Sequence, residues 1–141
     1  MSLLENKFES VGFEIIQNHK AKFIENIKAT IIELVNNSGE FNKSNVSTYL
    51  NEKLRHDYSY LSNLFSSVEA ITIEQYLINH KIEKIKELIV YDELALTEIS
   101  HLLGYSNFPH LSNQFNKIAG LTPSHFKKLK NKRLRKSLDK V

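Results

Sequence analysis

The sequence has no cysteine, no long apolar run and no signal-peptide layout at its start. Without cysteine there are neither disulfides nor thiolate chemistry, and the absence fits a reducing compartment. No apolar stretch approaches the roughly twenty residues of a membrane span, and the first residues lack the charged-then-apolar order of a secretory signal. These absences favour a cytoplasmic protein, and 141 residues with 41% hydrophobic content suit one globular domain or two small ones.

Patterns that carry catalysis or bind metals are equally scarce. No two of the six histidines stand three or four residues apart, so a helical metal site is not expected. No serine–histidine–aspartate order, glycine-rich phosphate loop or pair of catalytic carboxylates stands out, and Asp92 and Glu93 are interpreted as caps of the following helix. We therefore predict a protein that is not an enzyme and that has no cofactor and no metal.

Charge is unevenly distributed along the chain. Residues 127–141 contain eight lysines and arginines and one aspartate, a net charge of +7, whereas the remainder contains 11 basic and 15 acidic side chains, a net of −4. A concentrated basic end is expected of a protein that binds nucleic acid, and the acidic body argues against it.

Residues 96–130 contain the strongest pattern in the sequence. A first helix is predicted to end at Gly104, where a left-handed residue is favoured; its apolar positions are Leu96, Ile99, Leu102 and Leu103. A second helix is predicted between the N-cap Ser106 and Gly120; its apolar face is Leu111, Phe115 and Ile118. Thr122 caps a third helix that opens with Pro123. Helix, glycine turn and helix at this spacing form a helix-turn-helix.

The central unit of this pattern occurs twice. Leu-Ser-Asn-x-Phe stands at residues 61–65 and again at residues 111–115. Around the first copy the sequence predicts helices over residues 21–37 and 44–54, and a third helix that follows the N-cap Asp57 and turns Leu61, Leu64 and Phe65 inward. A long helix from about residue 73 to residue 91 separates the two copies and is roughly 28 Å long.

Residues 105–126, YSNFPHLSNQFNKIAGLTPSHF, resemble the C-terminal signature of the AraC/XylS family of bacterial transcription regulators. The motif is long and ordered, and the resemblance covers roughly residues 25–130. It implies an all-α fold of two homeodomain-like helix-turn-helix subdomains joined by a long linker helix. It also implies sequence-specific DNA binding near promoters, with two recognition helices in successive major grooves and activation of transcription as the family's habit.

The repeat and the resemblance together predict five segments. These are an N-terminal arm (1–20), a first helix-turn-helix unit (21–71), a linker helix (72–91), a second helix-turn-helix unit (92–130) and a basic tail (131–141).

The N-terminal arm is interpreted as a remnant of another domain. Its run LENKFESVGFEII resembles the last helix and strand of a small ferredoxin-like, heavy-metal-associated domain, with Gly12 ending the helix and residues 13–16 forming the strand. Such a domain would be an upstream sensor outside this chain. The alternative is a disordered or loosely docked arm.

The resemblance assigns base contacts to outward residues of the two recognition helices. Asparagine can bond adenine through N6 and N7, serine can donate or accept, and phenylalanine can touch a thymine methyl. The predicted base-contacting residues are Ser59, Ser62 and Asn63 in the first helix and Phe108, Ser112 and Asn113 in the second.

Two departures from the family pattern qualify this assignment. The family frequently has arginine, the usual reader of guanine, where this chain has Asn63 and Asn113. The two asparagines in place of arginine suggest a preference for adenine, weaker DNA binding by one unit alone, or both. Arg55 stands where the family often has a turn glycine, and Asn51 where it often has a small apolar residue, so the first unit departs further.

Phosphate contacts are predicted from a helix N-terminus and from basic side chains. The predicted residues are Ser106, Asn107, Lys117, Lys127 and Lys128. The tail adds Lys130, Lys132, Arg133, Arg135 and Lys136, for which the alternative is a solvated helix end.

The predicted partners are double-stranded DNA and RNA polymerase, and no membrane. The competing interpretation is a helical protein-interaction module that binds no DNA, which would suit the acidic body.

Overall fold

The structure, a computed structural model, describes residues 3–37 and 45–139, and the side chains of residues 18–37 and 45–133. All regular structure over these residues is helical, so the predicted all-α fold is confirmed. The described helices are α1 (Leu3–Asn36), α2 (Val46–Leu54), α3 (Tyr58–Glu69), α4 (Ile73–Tyr91), α5 (Leu96–Leu102), α6 (Phe108–Ala119) and α7 (Pro123–Asp139). None of them is long and apolar enough to cross a membrane.

The N-terminal prediction of a strand is wrong. Residues 13–16 lie inside α1, which runs unbroken from Leu3 to Asn36. A helix grows cooperatively once nucleated, and one internal glycine such as Gly12 costs only about 1 kcal/mol. The strand was the observation that suggested an upstream metal-associated domain, and that support is therefore removed. The boundary drawn at residue 20 also falls inside α1.

The chain divides into two compact units, which comprise Met1–Ile32 with Asn45–Ile73, and Glu33–Ser44 with Glu74–Val141. In the first unit α2 packs against α3. Its buried apolar residues are Ile24, Ile27, Ile31, Tyr49, Leu50, Leu61, Phe65 and Ile73. Leu64, predicted to point inward, is only half-buried. The predicted start of α2 at Ser44 lies outside the described residues, and Asn45 caps the helix by accepting from the Thr48 N–H.

In the second unit α6 packs against both α5 and α7. Buried apolar residues from the linker helix and from the helix-turn-helix form its core; they include Leu77, Ile82, Ile85, Ile89, Ile99, Leu103, Tyr105, Leu111 and Phe115. The predicted linker helix is present as α4. Ile118 was predicted to join this core and does not, because it lies in the last turn of α6 with 40% of its surface exposed. The segment predicted as a separate tail from residue 131 continues α7 to Asp139.

Candidate nucleic-acid interface

A left-handed residue ends α2 in the first unit. Arg55 has φ 54° and ψ 37°, and its N–H donates to the Asn51 carbonyl over 2.9 Å. The sequence analysis placed Arg55 where a turn glycine is often found, and a left-handed conformation costs a residue with a side chain roughly 1 kcal/mol relative to glycine. Only His56 and Asp57 then separate Arg55 from α3.

The turn of the second unit has a glycine at its left-handed position. This turn is one residue longer than the turn of the first unit. Gly104 has φ 78°, as predicted. Its N–H donates to the His101 carbonyl over 3.2 Å, and the Tyr105 N–H donates to the Ser100 carbonyl over 2.9 Å. These two bonds form a Schellman motif, which satisfies carbonyls at the end of α5. Ser100 is buried, and its small side chain donates to the Leu96 carbonyl.

The N-caps of the two recognition helices, α3 and α6, also differ. Ser106 was predicted to cap α6, but Asn107 does so, since its side-chain oxygen accepts from the His110 N–H over 2.9 Å. Asn107 precedes Leu111 by four residues, as Asp57 precedes Leu61. Asp57 occupies the N-cap position of α3, as predicted, but its side chain makes no capping bond.

The repeated unit is oriented in the same way in both recognition helices. Leu61 and Phe65 of α3, like Leu111 and Phe115 of α6, are fully buried. Residues predicted to touch bases lie on the other side or on the flanks: Ser59, Asn63 and Asn113 are exposed, and Ser62, Phe108 and Ser112 are half-buried. The core thus holds each helix by its leucine and phenylalanine and leaves its asparagine in solvent.

Four of the five residues predicted to contact phosphate are exposed, namely Ser106, Asn107, Lys117 and Lys128. Lys127 is half-buried, and its ammonium lies 2.9 Å from a carboxylate oxygen of Asp92. Asp92 was interpreted as a helix cap; it instead forms this ion pair, and Ala95 occupies the N-cap position of α5. Lys132 and Arg133 are exposed, whereas the side chains of Arg135 and Lys136 lie outside the described residues.

A partly buried polar contact beside α6 was missed by the sequence analysis. The Tyr105 hydroxyl donates to Gln114 Oε1 of α6, and the Lys81 ammonium of α4 lies 4.9 Å from the centre of the Tyr105 ring. Burial raises the pKa of the Tyr105 hydroxyl well above its ordinary value and lowers the pKa of the Lys81 ammonium to about 8. The aromatic residue after the turn glycine was part of the quoted motif, but its burial depends on the fold.

A ring cluster beside α3 was also missed. Phe23 of α1 makes edge contacts with His56 in the turn, at 4.9 Å between centroids, and with Tyr60 of α3, at 6.3 Å. Tyr60 remains 51% exposed. At the other end of α3, Glu69 pairs with Lys28 of α1 at 2.8 Å. Helix α1 therefore contacts both ends of the first recognition helix.

Within the described residues, no group of three or more histidine, aspartate or glutamate side chains is placed to hold a metal ion. The exposed side chains of the two recognition helices include the amides of Asn63 and Asn113 and the hydroxyl of Ser59. Such groups can donate to and accept from the edges of bases.

Comparison with known proteins identifies relatives of this arrangement. A family profile described as a helix-turn-helix domain matches residues 50–129. The uncharacterized helix-turn-helix-type transcriptional regulator YtdP of Bacillus subtilis is 24% identical over 127 residues, which are 90% of this chain and 16% of that protein. The chain thus spans a small part of the length of this relative.

Two solved structures share the fold. The C-terminal domain of AraT, a response regulator from Geobacillus stearothermophilus, superposes with a TM-score of 0.65 at 22% identity and covers 76% of this chain and 84% of its own. The DNA-binding domain of AdpA, a global transcriptional factor solved in complex with a target DNA, also gives 0.65, at 15% identity, over 78% of this chain and 94% of its own.

Proposed function

The chain belongs to the AraC-type family of helix-turn-helix transcription regulators, and we propose that it binds double-stranded DNA at specific sequences near promoters and activates transcription. In this proposal α3 and α6 enter successive major grooves. This function requires no enzymatic step and places the protein with the DNA, in the bacterial cytoplasm.

One observation carries the proposal. Two helices of the same length bury the same leucine and phenylalanine and expose the same asparagine, as Asn63 in α3 and Asn113 in α6. A helix that enters a major groove needs this division between an anchored face and an exposed polar face. The AdpA domain, which shares the fold, was solved on its target DNA.

Base reading is assigned to the residues named from the sequence. Asn63 and Asn113 are the proposed adenine readers, Ser59, Ser62 and Ser112 are proposed to supply further hydrogen bonds, and Phe108 is proposed to touch a thymine methyl. A selection of bound duplexes from a random pool tests this assignment. Two adenine-containing half-sites separated by about one turn of B-DNA, roughly 34 Å, are expected; a single half-site or no enrichment would contradict it.

Phosphate binding is assigned to Ser106, Asn107, Lys117 and Lys128. Lys127 is assigned a weaker phosphate contact. Neutralising one phosphate-binding cation should reduce the log–log salt slope of DNA affinity by about 0.9. Lys128→Gln should show this loss. Lys127→Gln, its sequence neighbour, should show less because its ammonium already pairs with Asp92. Equal losses would mean that the ion pair opens on DNA.

The basic end of α7 is tested by substituting charges rather than by truncating the helix. Lys132→Gln with Arg133→Gln should weaken binding to all sequences alike and lower the salt slope, because both side chains are exposed. An unchanged slope would remove this segment from the phosphate contacts and favour a solvated helix end.

Activation implies RNA polymerase as a second partner. In vitro transcription from a promoter that carries the selected site should increase with added protein. A decrease would make the protein a repressor, and it would leave the DNA-binding proposal standing.

The competing proposal is a protein-interaction module. Its support is a groove between α4 and α7 that is lined by charged and apolar side chains together, the apolar ones being Phe126, Val90 and Tyr91; Val90 and Tyr91 are 50% and 67% exposed. Gel shifts on random-sequence duplexes at two salt concentrations separate the two proposals. An interaction module would show no binding at either concentration.

A sensor domain in the same polypeptide is a further part of the proposal. The relative YtdP is several times longer than its matched segment, and the AraT domain is the C-terminal part of a response regulator. The sequence of the complete gene tests this, and a reading frame that encodes only the present residues would remove the idea.

A further inference from the structure

Tyr105 contacts all three helices that surround the second turn. Its backbone N–H donates to the Ser100 carbonyl and closes α5. Its ring lies under the Lys81 ammonium of α4. Its hydroxyl donates to Gln114 Oε1, and its ring makes an edge contact with His110, at 5.2 Å between centroids, on α6. With only 5% of its surface exposed, the side chain has little room to adopt another position.

The contacts on α6 lie along one flank of the helix. His110 and Gln114 are one turn apart, so their side chains lie one above the other. Asn113 and Lys117 occupy the adjoining exposed face. A contact on the flank of α6 resists rotation of the helix about its own axis. The contacts at the centre of its buried face resist that rotation less. Base reading tolerates only about 10–20° of misorientation.

Lys81 of α4 contacts the face of the Tyr105 ring. Its ammonium lies 4.9 Å from the ring centre, within the distance at which a cation is attracted to an aromatic face. Because its pKa is about 8, most of the ammonium is charged at neutral pH. The raised pKa of Tyr105 keeps its hydroxyl a neutral donor to Gln114.

We propose that Tyr105 is a positioning residue for sequence recognition: together with Lys81 it clamps the His110–Gln114 flank of α6 to α4 and thereby sets the direction of Asn113. The inference rests on the proposed function, because it concerns how a DNA-reading helix is oriented. It assigns to Tyr105 and Lys81 a role in base preference although neither needs to touch DNA.

Tyr105→Phe tests the clamp with the smallest change. It removes the hydroxyl bond to Gln114 and keeps the ring contacts with Lys81 and His110. Affinity for the selected site should fall about two- to ten-fold, the equivalent of one hydrogen bond, while affinity for non-specific duplex stays unchanged because phosphates supply it. The base preference should relax at the base pair that Asn113→Ala also relaxes. Equal weakening on both kinds of DNA would overturn the proposal.

Tyr49→Phe is the matched control. Tyr49 is 4% exposed, against 5% for Tyr105, but it lies in the first unit. It should leave base preference in the second half-site unchanged. If it relaxes that preference as much as Tyr105→Phe does, loss of a buried hydroxyl acts generally and the clamp is wrong.

A double-mutant cycle tests whether Tyr105 acts through Asn113. With Asn113→Ala already present, Tyr105→Phe should have no further effect on the ratio of specific to non-specific affinity. Additive losses would show that Tyr105 affects recognition by another route and would overturn the assignment.

Lys81 is tested by removal and by conservative rescue. Lys81→Met keeps much of the length and loses the charge, so it should lower specific affinity less than Tyr105→Phe but relax the same base pair. Lys81→Arg restores a cation over the ring and should restore that preference. Failure of arginine to rescue would remove Lys81 from the clamp.

A measurement without DNA separates failure of the clamp from failure of the proposed function. In Tyr105→Phe, backbone amide hydrogen exchange should accelerate in α6 and not in α3. If the wild-type protein selects no DNA sequence, the proposed function fails, and this exchange measurement then decides whether the clamp exists. Unchanged protection of α6 overturns the clamp even in a protein that binds specific DNA.

Discussion

The two helix-turn-helix units end their recognition helices alike but begin them differently. Both α3 and α6 contain twelve residues and close on a left-handed residue, Ala70 or Gly120. At their starts, the first unit uses a left-handed arginine, a short turn and an N-cap without a side-chain bond. The second uses a glycine, a longer turn and an asparagine cap. Duplicated local sequence thus tolerates quite different turns.

The residue that follows the left-handed position makes different contacts in the two turns. Tyr105 follows Gly104 and enters the core between α4 and α6. The shorter first turn instead places His56 against Phe23 of α1, and Lys28 of the same helix pairs with Glu69. One recognition helix is held from its own turn, and the other is held by the N-terminal helix.

The largest expected difference between the units concerns base reading. Asn113→Ala should cost about 1–3 kcal/mol on the selected site and little on non-specific DNA. Asn63→Ala should cost less, because the first unit departs further from the family pattern at Asn51 and Arg55. Affinities for both kinds of DNA measure this. Unfolding midpoints should change little, since an exposed asparagine contributes less than about 0.5 kcal/mol to stability. Equal effects on specific and non-specific DNA would exclude Asn113 as a base reader.

The next largest difference is expected in how much each N-cap side chain stabilises its recognition helix. Asn107→Ala removes a bond to the His110 N–H and should destabilise α6 by about 1 kcal/mol. Asp57→Ala should change the stability of α3 by less, because the Asp57 side chain makes no capping bond. Urea unfolding and amide exchange measure both variants. Equal losses would show that Asp57 supports α3 through the helix dipole as strongly as a hydrogen bond does.

Burial of Lys81 and Tyr105 should make stability depend on pH, because it shifts the pKa of each side chain. In the folded protein the pKa of Lys81 is about 8, against 10.5 for the ordinary side chain. Between these values the unfolded chain binds more protons, so the free energy of unfolding should rise from pH 8 to about pH 10 by on the order of 1 kcal/mol, allowing for partial exposure.

Above about pH 10 the raised pKa of Tyr105 acts in the opposite direction, because the folded chain keeps a proton that the unfolded chain has lost. Urea unfolding of wild type and Lys81→Met at four pH values measures this. A rise that persists in Lys81→Met would assign it to another group.

The left-handed caps should give effects of similar size or smaller. Gly120→Ala should destabilise the protein by about 1 kcal/mol through backbone strain alone, since an added Cβ at φ 83° would meet no atom within 4 Å. Ala70→Gly, the reciprocal change at φ 63°, should stabilise by about 0.5 kcal/mol, because relief of strain is partly offset by the greater freedom of the unfolded chain. Thermal unfolding measures both. A destabilised Ala70→Gly would mean that the alanine methyl packs usefully.

Local periodicity was sufficient to predict most helices of this fold. The 3–4 spacing of Ile24, Ile27 and Ile31 marked α1, and the repeated leucine and phenylalanine marked α3 and α6. It failed at residues 13–16, where the local sequence favours a strand but the residues lie inside the long helix α1. It also failed at Ile118, where helical spacing alone does not reveal where the packing of neighbouring helices ends.

The features of the candidate site likewise divide into those that the sequence predicts and those that it does not. The exposure of Asn63 and Asn113 follows from helical geometry once Leu61, Phe65, Leu111 and Phe115 are buried, so the sequence itself determined which face is outward. The pairing of Lys127 with Asp92, and of Tyr105 with Lys81 and Gln114, joins residues from separate helices and turns. Only the tertiary structure decided those contacts, because helical periodicity describes the faces of one element, whereas the packing of several elements selects which faces meet.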